Sequence, residues 1–217
     1  AQKHGIKPAR LKISLIDGAD RVLPMLSSKA SAKTATHLNK LGVAIHLKMK
    51  VESCSEGNLC MSSGDLEADV IIWTAGSKPV SFYEKNPSVF TLGRGGRVIV
   101  SEYLQVQNQP DLYVLGDNAD TPFSGMAQTA LHDANFVARN LIREAAGQKI
   151  VTYRSRRPLY VVTAGPKWAI VQQGNRVISG YRGWLIRRRA DLAIFKNFEP
   201  YAEAVKTWRQ ARKMAKF

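Results

Sequence analysis

An α/β fold is predicted by three observations. Residues 11–47 read as strand, helix, strand. Residues 51–73 read as short strands broken by tight turns, and residues 111–117 as an apolar run that leads, after a polar loop, into an alanine-rich helix. A short loop cannot join parallel neighbours, so a helix between two strands marks a parallel pair. From residue 158 onward the pattern is a small β-hairpin followed by a helical C-terminal segment.

Each element has a local cause. Residues 11–16 alternate apolar and polar and end in Asp17-Gly18, a strand running into a turn. After Pro24, Ser27 or Ser28 can cap a helix through residue 41, with Ala35, Leu38 and Leu41 on one face and Gly42 closing it; residues 43–47 then resume as strand. Residues 51–54, 59–62 and 68–73 are short strands separated by Glu56-Gly57-Asn58 and Ser63-Gly64-Asp65, an antiparallel meander. It runs into Thr74-Ala75-Gly76, where small side chains would let a second ligand or a domain crossover pass close to the backbone. A β-rich stretch at 97–104 precedes the apolar run at 111–115. The clearest helix spans 125–145: Ala127, Ala130, Leu131, Ala134, Val137, Ala138, Leu141 and Ile142 recur at helical spacing, Ser124 suits the N-cap and Gly147 the end. Strands at 158–164, 168–172 and 177–181, the last two joined by Gly174-Asn175, lead to helices at 183–195 and 200–213.

Composition bounds the function. With 217 residues, 45% of them hydrophobic, the chain can bury a packed core. Its 32 basic residues outnumber 17 acidic ones by 15, which implies attraction to anionic lipid or nucleic acid without distinguishing them. From Tyr181 onward ten basic residues stand against three acidic ones, so almost half of the surplus lies in this last part. Cys54 and Cys60 are six positions apart with no Cys-x-x-Cys and read as two reduced thiols. The scattered His4, His37, His46 and His132 suggest no metal site. No apolar run approaches the roughly 20 residues of a spanning helix. Residues 1–10 start with Ala rather than Met and read as the end of something, so a processed or truncated chain is expected.

The run Asp111-Leu112-Tyr113-Val114-Leu115-Gly116-Asp117 has the pattern of a ligand site, since ligands of open α/β sheets sit past the carboxyl ends of buried parallel strands. Gly116 lets a cofactor approach the backbone, and the Asp117 carboxylate can accept hydrogen bonds from sugar or polyol hydroxyls. The same pair also suits an ordinary turn.

Taken in order, these pieces resemble one family. Asp17 at a strand end, Asp69-Val70-Ile71-Ile72-Trp73-Thr74-Ala75-Gly76 closing a meander, Gly96-Arg97-Val98-Ile99-Val100 before Leu104-Gln105, and 111–117 followed by Ala127-Gln128 resemble the later half of a type II NADH dehydrogenase. These are respiratory-chain, FAD-containing NADH:quinone oxidoreductases built from two Rossmann-like domains and a membrane-docking C-terminal segment. The resemblance therefore implies incomplete Rossmann-like, two-dinucleotide-binding domains. Residues 1–74 would be the later part of the NADH-binding domain, 75–148 the later part of the FAD-binding domain, and 149–217 a docking or dimerisation segment. It implies that Gly116 and Asp117 bind FAD, with the start of the following helix, at Ala127 and Gln128, facing the flavin. There unpaired N–H groups stabilise the negative charge left by hydride arrival. Asp17 would accept from the adenosine ribose of NADH, with a turn residue as its alternative role, and Ala75 and Gly76 would line a cofactor.

Two departures limit this. The chain has no Gly-x-Gly-x-x-Gly, whereas the family needs one such loop for each pyrophosphate; both are expected upstream of Ala1, and the chain alone is expected neither to hold FAD nor to oxidise NADH. The family's flavin-facing helix carries Ala-Gln-x-x-x-Gln, and here the second Gln is His132. His132 either donates to a quinone carbonyl or supplies a proton, or is a helix-surface histidine. With Gln128 it is the candidate catalytic pair. Trp184, Leu185, Ile186, Leu192, Ile194 and Phe195, with Arg182, Arg187, Arg188 and Arg189, suit a helix lying in an anionic membrane surface, which implies a peripheral enzyme on the cytoplasmic face. Terminal apolar helices also suit a homodimer. The alternatives are a soluble NAD(P)H-dependent flavin reductase, which the basic tail and the missing Cys-x-x-Cys disfavour, and a basic nucleic-acid-binding module, which lacks any fold signature here.

Overall fold

The structure, a computed structural model, describes residues 11–55, 57–62 and 64–214. The expectations for residues 1–10, for the turn positions Glu56 and Ser63 and for Lys216 lie outside the described residues. In chain order the first elements are β1 (Ile13–Asp17), α1 (Ser28–Lys40), β2 (Val43–Leu47), β3 (Val51–Ser55), β4 (Asn58–Met61) and β5 (Gly64–Glu67). Then come β6 (Gln105–Val106), β7 (Gln109–Tyr113), α2 (Ala127–Ala145), β8 (Tyr160–Thr163), β9 (Ala169–Gln173), β10 (Arg176–Gly180), α3 (Tyr181–Phe195) and α4 (Tyr201–Met214). They form two compact units, one of the residues up to Thr74 together with those from Tyr160, the other of Ala75–Leu159.

In the first unit β1 and β2 pair in parallel, Ile13 with Val43 through Asp17 with Leu47, as the intervening helix requires. Ser27 caps α1 by accepting from Ala30 N at 3.3 Å, and its own N–H and hydroxyl both donate to Gln172 Oε1 at 2.9 Å. The buried face of α1 is Ala30, Ser31 and Thr34, not the expected Ala35, Leu38 and Leu41. Ala30 packs with Leu26 and Ile170 of β9, and Leu41 is left exposed.

The meander has strand order β3-β4-β5, and its third strand lies at Gly64–Glu67 rather than at 68–73. Met61 pairs with Gly64, so the strand starts straight after the turn and is used up by the four residues of β4 before the apolar run is reached. Ala68 N still donates to Gly57 O at 2.9 Å, but beyond it no strand among the described residues pairs with 69–73, and Val70, Ile72 and Trp73 are 76%, 80% and 60% exposed. The C-terminal sheet has order β10-β9-β8, all antiparallel, with Ala169, Ile170 and Val171 of its central strand buried. Helix α3 lies so close to it that a Cβ on Gly183 would run into the Ala169 carbonyl. Helices α3 and α4 are locked together by Arg188 and Trp208: the guanidinium lies 4.4 Å from the indole centroid and bonds the Trp208 carbonyl, while the indole N–H donates to Arg188 O at 2.6 Å.

In the second unit, the run expected as a buried parallel strand at 111–115 is instead an arm of an antiparallel hairpin, β6–β7. Residues Gln109–Asp111 and Leu112 are exposed; burial starts only at Val114, which joins Phe90, Val98, Val106 and Ala119 in the core. The β-rich stretch at 97–104 makes isolated bridges, Leu92–Val98, Val98–Ala119 and Val100–Val106, rather than a strand. Helix α2 starts at Ala127 with Met126 as N-cap and no side-chain cap. The expected cap, Ser124, turns back to the Ala119 carbonyl and to Thr121. The buried face of α2 is Thr129, Asp133, Val137 and Asn140, while Leu141 and Ile142 of the expected apolar face are exposed.

Candidate functional site

The apolar run ends in a 3₁₀ turn, Gly116–Asn118, set against the first turns of α2. Gly116 is buried with φ +65°, a left-handed conformation, and a Cβ there would sit 3.1 Å from Ala130 Cβ. Backbone shape and helix contact both call for glycine. Its N–H donates to Asp133 Oδ2 at 3.0 Å, and the other oxygen, Oδ1, accepts from the Tyr153 hydroxyl at 2.6 Å. Asp133 is wholly buried. Burial, together with the hydrogen bond to and charge of Asp133, holds the Tyr153 phenol well above its ordinary value.

Asp117 is exposed, and its carbonyl accepts from Arg97 Nε at 3.1 Å. Beyond the turn Arg94 grips Asp120, Nε to Oδ1 at 2.9 Å and backbone N to Oδ2 at 3.1 Å. Burial works against the ionised Asp120, but the Arg94 hydrogen bonds and charge, aided by Arg97, outweigh it and hold the carboxyl below its usual value. An ionised carboxylate can thus be presented beside a fixed backbone turn.

The first turn of a helix carries N–H groups without intrahelical partners and the positive end of the macrodipole, and here Ala127 and Gln128 open that turn. Within it the Thr129 hydroxyl is buried and has no partner. An exposed carboxylate, a helix start and an orphaned hydroxyl are a donor and acceptor set suited to a polyhydroxylated, anion-accepting cofactor such as FAD.

Side chains of the candidate catalytic pair are otherwise engaged. The Gln128 amide clamps Leu159, Nε2 to the carbonyl and Oε1 from the N–H, both at 3.1 Å. His132 Nε2 lies 2.9 Å from Arg154 O, and its ring packs on Tyr153. Further along, Asn140 holds Val151 from both sides, at 2.8 and 3.1 Å. Gln128, His132, Asp133 and Asn140 therefore hold the returning segment 149–159 as a strap along α2, which is why the helix buries a polar stripe. In the first unit Asp17 Oδ1 accepts from Ala19 N at 2.9 Å, an Asx turn, so the turn role is realised. Ala75 and Gly76 are exposed, and Gly76 takes φ +97° at the start of the second unit.

The structure thus brings together Gly116, Asp117, Ala127 and Gln128, and adds three residues that sequence reasoning missed: Thr129, Asp133 and Tyr153. Thr129 and Asp133 lie four apart on the buried face of α2, and Tyr153 lies on the returning segment. Cys54 and Cys60 are free thiols, and the hydrogen bond and charge of Asp65 hold Cys60 above its ordinary value, which makes it a poor nucleophile. Among the described residues no group of His, Cys, Asp or Glu could hold a metal ion.

This site lies within a stretch with known relatives. The model of the pyridine nucleotide-disulphide oxidoreductase family matches residues 3–134, and the chain belongs to that family. Type II NADH:quinone oxidoreductase Ndh of Mycobacterium tuberculosis is 27% identical over 217 residues, which cover 94% of this chain and 46% of that protein. The chain spans about half the length of the relatives it matches. Among solved structures, NDH2 from Plasmodium falciparum in complex with NADH has a TM-score of 0.80 at 13% identity, covering 95% of this chain and 58% of that one. The water-forming NADH oxidase from Lactobacillus brevis bound to NADH has a TM-score of 0.62 at 20% identity, covering 74% of this chain and 36% of that one. At these identities the two structures establish the fold.

Proposed function

We propose that these residues form the later part of an FAD-dependent enzyme that oxidises NADH and reduces a quinone. The observation that carries the reading is the Gly116–Asp117 turn set against the opening of α2. FAD, when bound, accepts the hydride of NADH and passes two electrons to the quinone. Asp117 accepts from its ribityl hydroxyls, Ala127 and Gln128 present backbone N–H groups to the ring, and the Thr129 hydroxyl is a further donor. Asp17 accepts from the NADH ribose through the carboxylate oxygen outside its turn, and Ala75 and Gly76 leave room for cofactor.

Gln128 contributes through its backbone, since its side chain clamps Leu159. With its Nε2 proton given to Arg154 O, His132 has only Nδ1 left, an acceptor unless the ring is charged, so it donates to a quinone carbonyl only as imidazolium. No pyrophosphate loop exists in the 217 residues, so this chain by itself neither retains FAD nor turns over NADH.

Peripheral docking, on the cytoplasmic face of an anionic membrane, falls to the C-terminal helices. No helix among the described residues is long and apolar enough to cross a membrane. Tyr181, Leu185, Phe198 and Tyr201 are exposed beside Arg182 and Arg189, whereas Arg188 is buried on Trp208 and is not a headgroup contact. Terminal apolar helices also suit a homodimer, as an alternative use of these helices. A fold likeness covering 95% of the chain for the NDH2 structure, against 74% for the water-forming oxidase, favours this reading over a soluble flavin reductase.

The test is flavin binding. In the complete flavoenzyme Asp117→Ala should raise the FAD Kd about tenfold or more, as loss of a charged hydrogen-bond acceptor does. An unchanged Kd rejects the turn as a flavin contact, and stoichiometric flavin on the purified 217-residue chain rejects its dependence on further residues. Deleting 183–217 from the enzyme should abolish sedimentation with anionic liposomes. Retained sedimentation rejects the C-terminal anchor, and stronger salt-sensitive retention on RNA than on liposomes would favour nucleic acid instead.

A further inference from the structure

Asp133 is unusual because a simpler group would do its visible work. It satisfies the Gly116 N–H, a task open to any hydroxyl, amide or carbonyl, yet it is a carboxylate with no exposure and takes part in no ion pair among the described residues. A buried carboxylate is costly unless hydrogen bonds compensate it, and here two donors do so, Gly116 N–H at 3.0 Å and Tyr153 O–H at 2.6 Å. The Tyr153 donor is itself delivered by the strap, which Asn140 and His132 hold on either side of it. The molecule thus commits a helix face and a strap to keeping one acid in place behind the Gly116–Asp117 turn.

Resting on the reading of that turn as the flavin site, we propose that Asp133 is its positioning residue. Its carboxylate pins the Gly116 N–H to α2, so that Asp117 is turned outward, and its shielded charge sets the electrostatic field at the helix start. Asp133 stands six residues beyond Ala127, roughly 9 Å along the axis at the ordinary helical rise. At that range, inside a protein, a negative charge opposes the positive helix end and disfavours electron uptake by a group bound there. The two functions separate in one substitution. In Asp133→Asn the amide oxygen still accepts from Gly116 and the NH₂ donates to the Tyr153 oxygen, so geometry is kept and charge removed.

The experiment uses the complete flavoenzyme with three variants, reading the FAD Kd and the flavin midpoint potential by dithionite titration against an indicator dye. Asp133→Asn should leave the Kd near wild type and shift the potential positive. Asp133→Leu, which strips the Gly116 N–H of its acceptor, should raise the Kd about tenfold or more. An unmoved potential in Asp133→Asn overturns the inference, whether or not the Leu variant folds; an unmoved Kd in a folded Asp133→Leu overturns it as well. Asp117→Ala is the separate control. If it leaves the Kd unchanged, the flavin reading itself fails. If it weakens FAD while neither Asp133 variant moves its readout, that reading stands and the role of Asp133 falls.

Discussion

Strand β9 is the buried middle strand of its sheet, whereas the strap at 149–159 is mostly exposed, and the two are held by different means. Strand β9 has a backbone ladder on each side and buries Ala169, Ile170 and Val171, so its hold is spread over many equivalent bonds and over apolar area. The strap has one backbone bond, Tyr153 N to Glu102 O at 2.6 Å, and is otherwise fastened along α2 by side chains of that helix: Arg143 to Lys149, Asn140 to Val151, His132 to Arg154, Gln128 to Leu159, with Asp133 taking the Tyr153 hydroxyl. A ladder tolerates exchange of most side chains. A strap built this way depends on the identity of five.

The sharpest break of the comparison is at Ile170. Truncation to Ala opens a cavity at a fully buried position and should cost about 2–5 kcal/mol, read as a fall in the urea midpoint at constant slope. A loss well under that range would mean that β9 is not the anchor of its unit. Next is Asn140→Ala, which leaves both polar groups of Val151 without their partner and should cost about 1–3 kcal/mol. Amide exchange should quicken at Val151 and leave the β9 amides unchanged; equal quickening in both would erase the distinction.

At neutral pH Tyr153→Phe, which leaves the buried Asp133 carboxylate with a single donor, should cost about 1.5–3 kcal/mol, as for a hydrogen bond to a charged group. Its pH dependence is more telling. The phenol is raised in the folded state, so the folded chain holds that proton more firmly than the unfolded one. Stability from it is fully present below the ordinary value of 10.0 and declines as pH rises beyond it. Wild type should therefore lose stability above pH 10 more steeply than Tyr153→Phe, which has no proton to lose. Parallel alkaline profiles would remove Tyr153 from the strap.

The same contrast explains what could be read from the sequence. The β1–α1–β2 unit and the C-terminal hairpin with its two helices follow from strand parity, caps and turn residues, because each is encoded within a few neighbours. Residues 68–73 look like a strand and are not, because a turn two residues long made Gly64–Glu67 the partner of β4. The alanine spacing of α2 named the helix correctly and its buried face wrongly, since a polar stripe facing a distant strap has no periodic trace. At the candidate site, Gly116 and Asp117 were legible as a motif. Asp133 was not, because its significance lies in meeting Tyr153, twenty positions further on.

Residues 68–73 carry one more consequence, for the life of the chain in a cell. Val70, Ile72 and Trp73 stand in water on backbone that pairs with nothing among the described residues. Such a run is a template for another strand and a handle for holdase chaperones, and at high concentration it invites one copy to complete itself on the next. A charged substitution at Ile72 would lower that tendency without touching any buried contact.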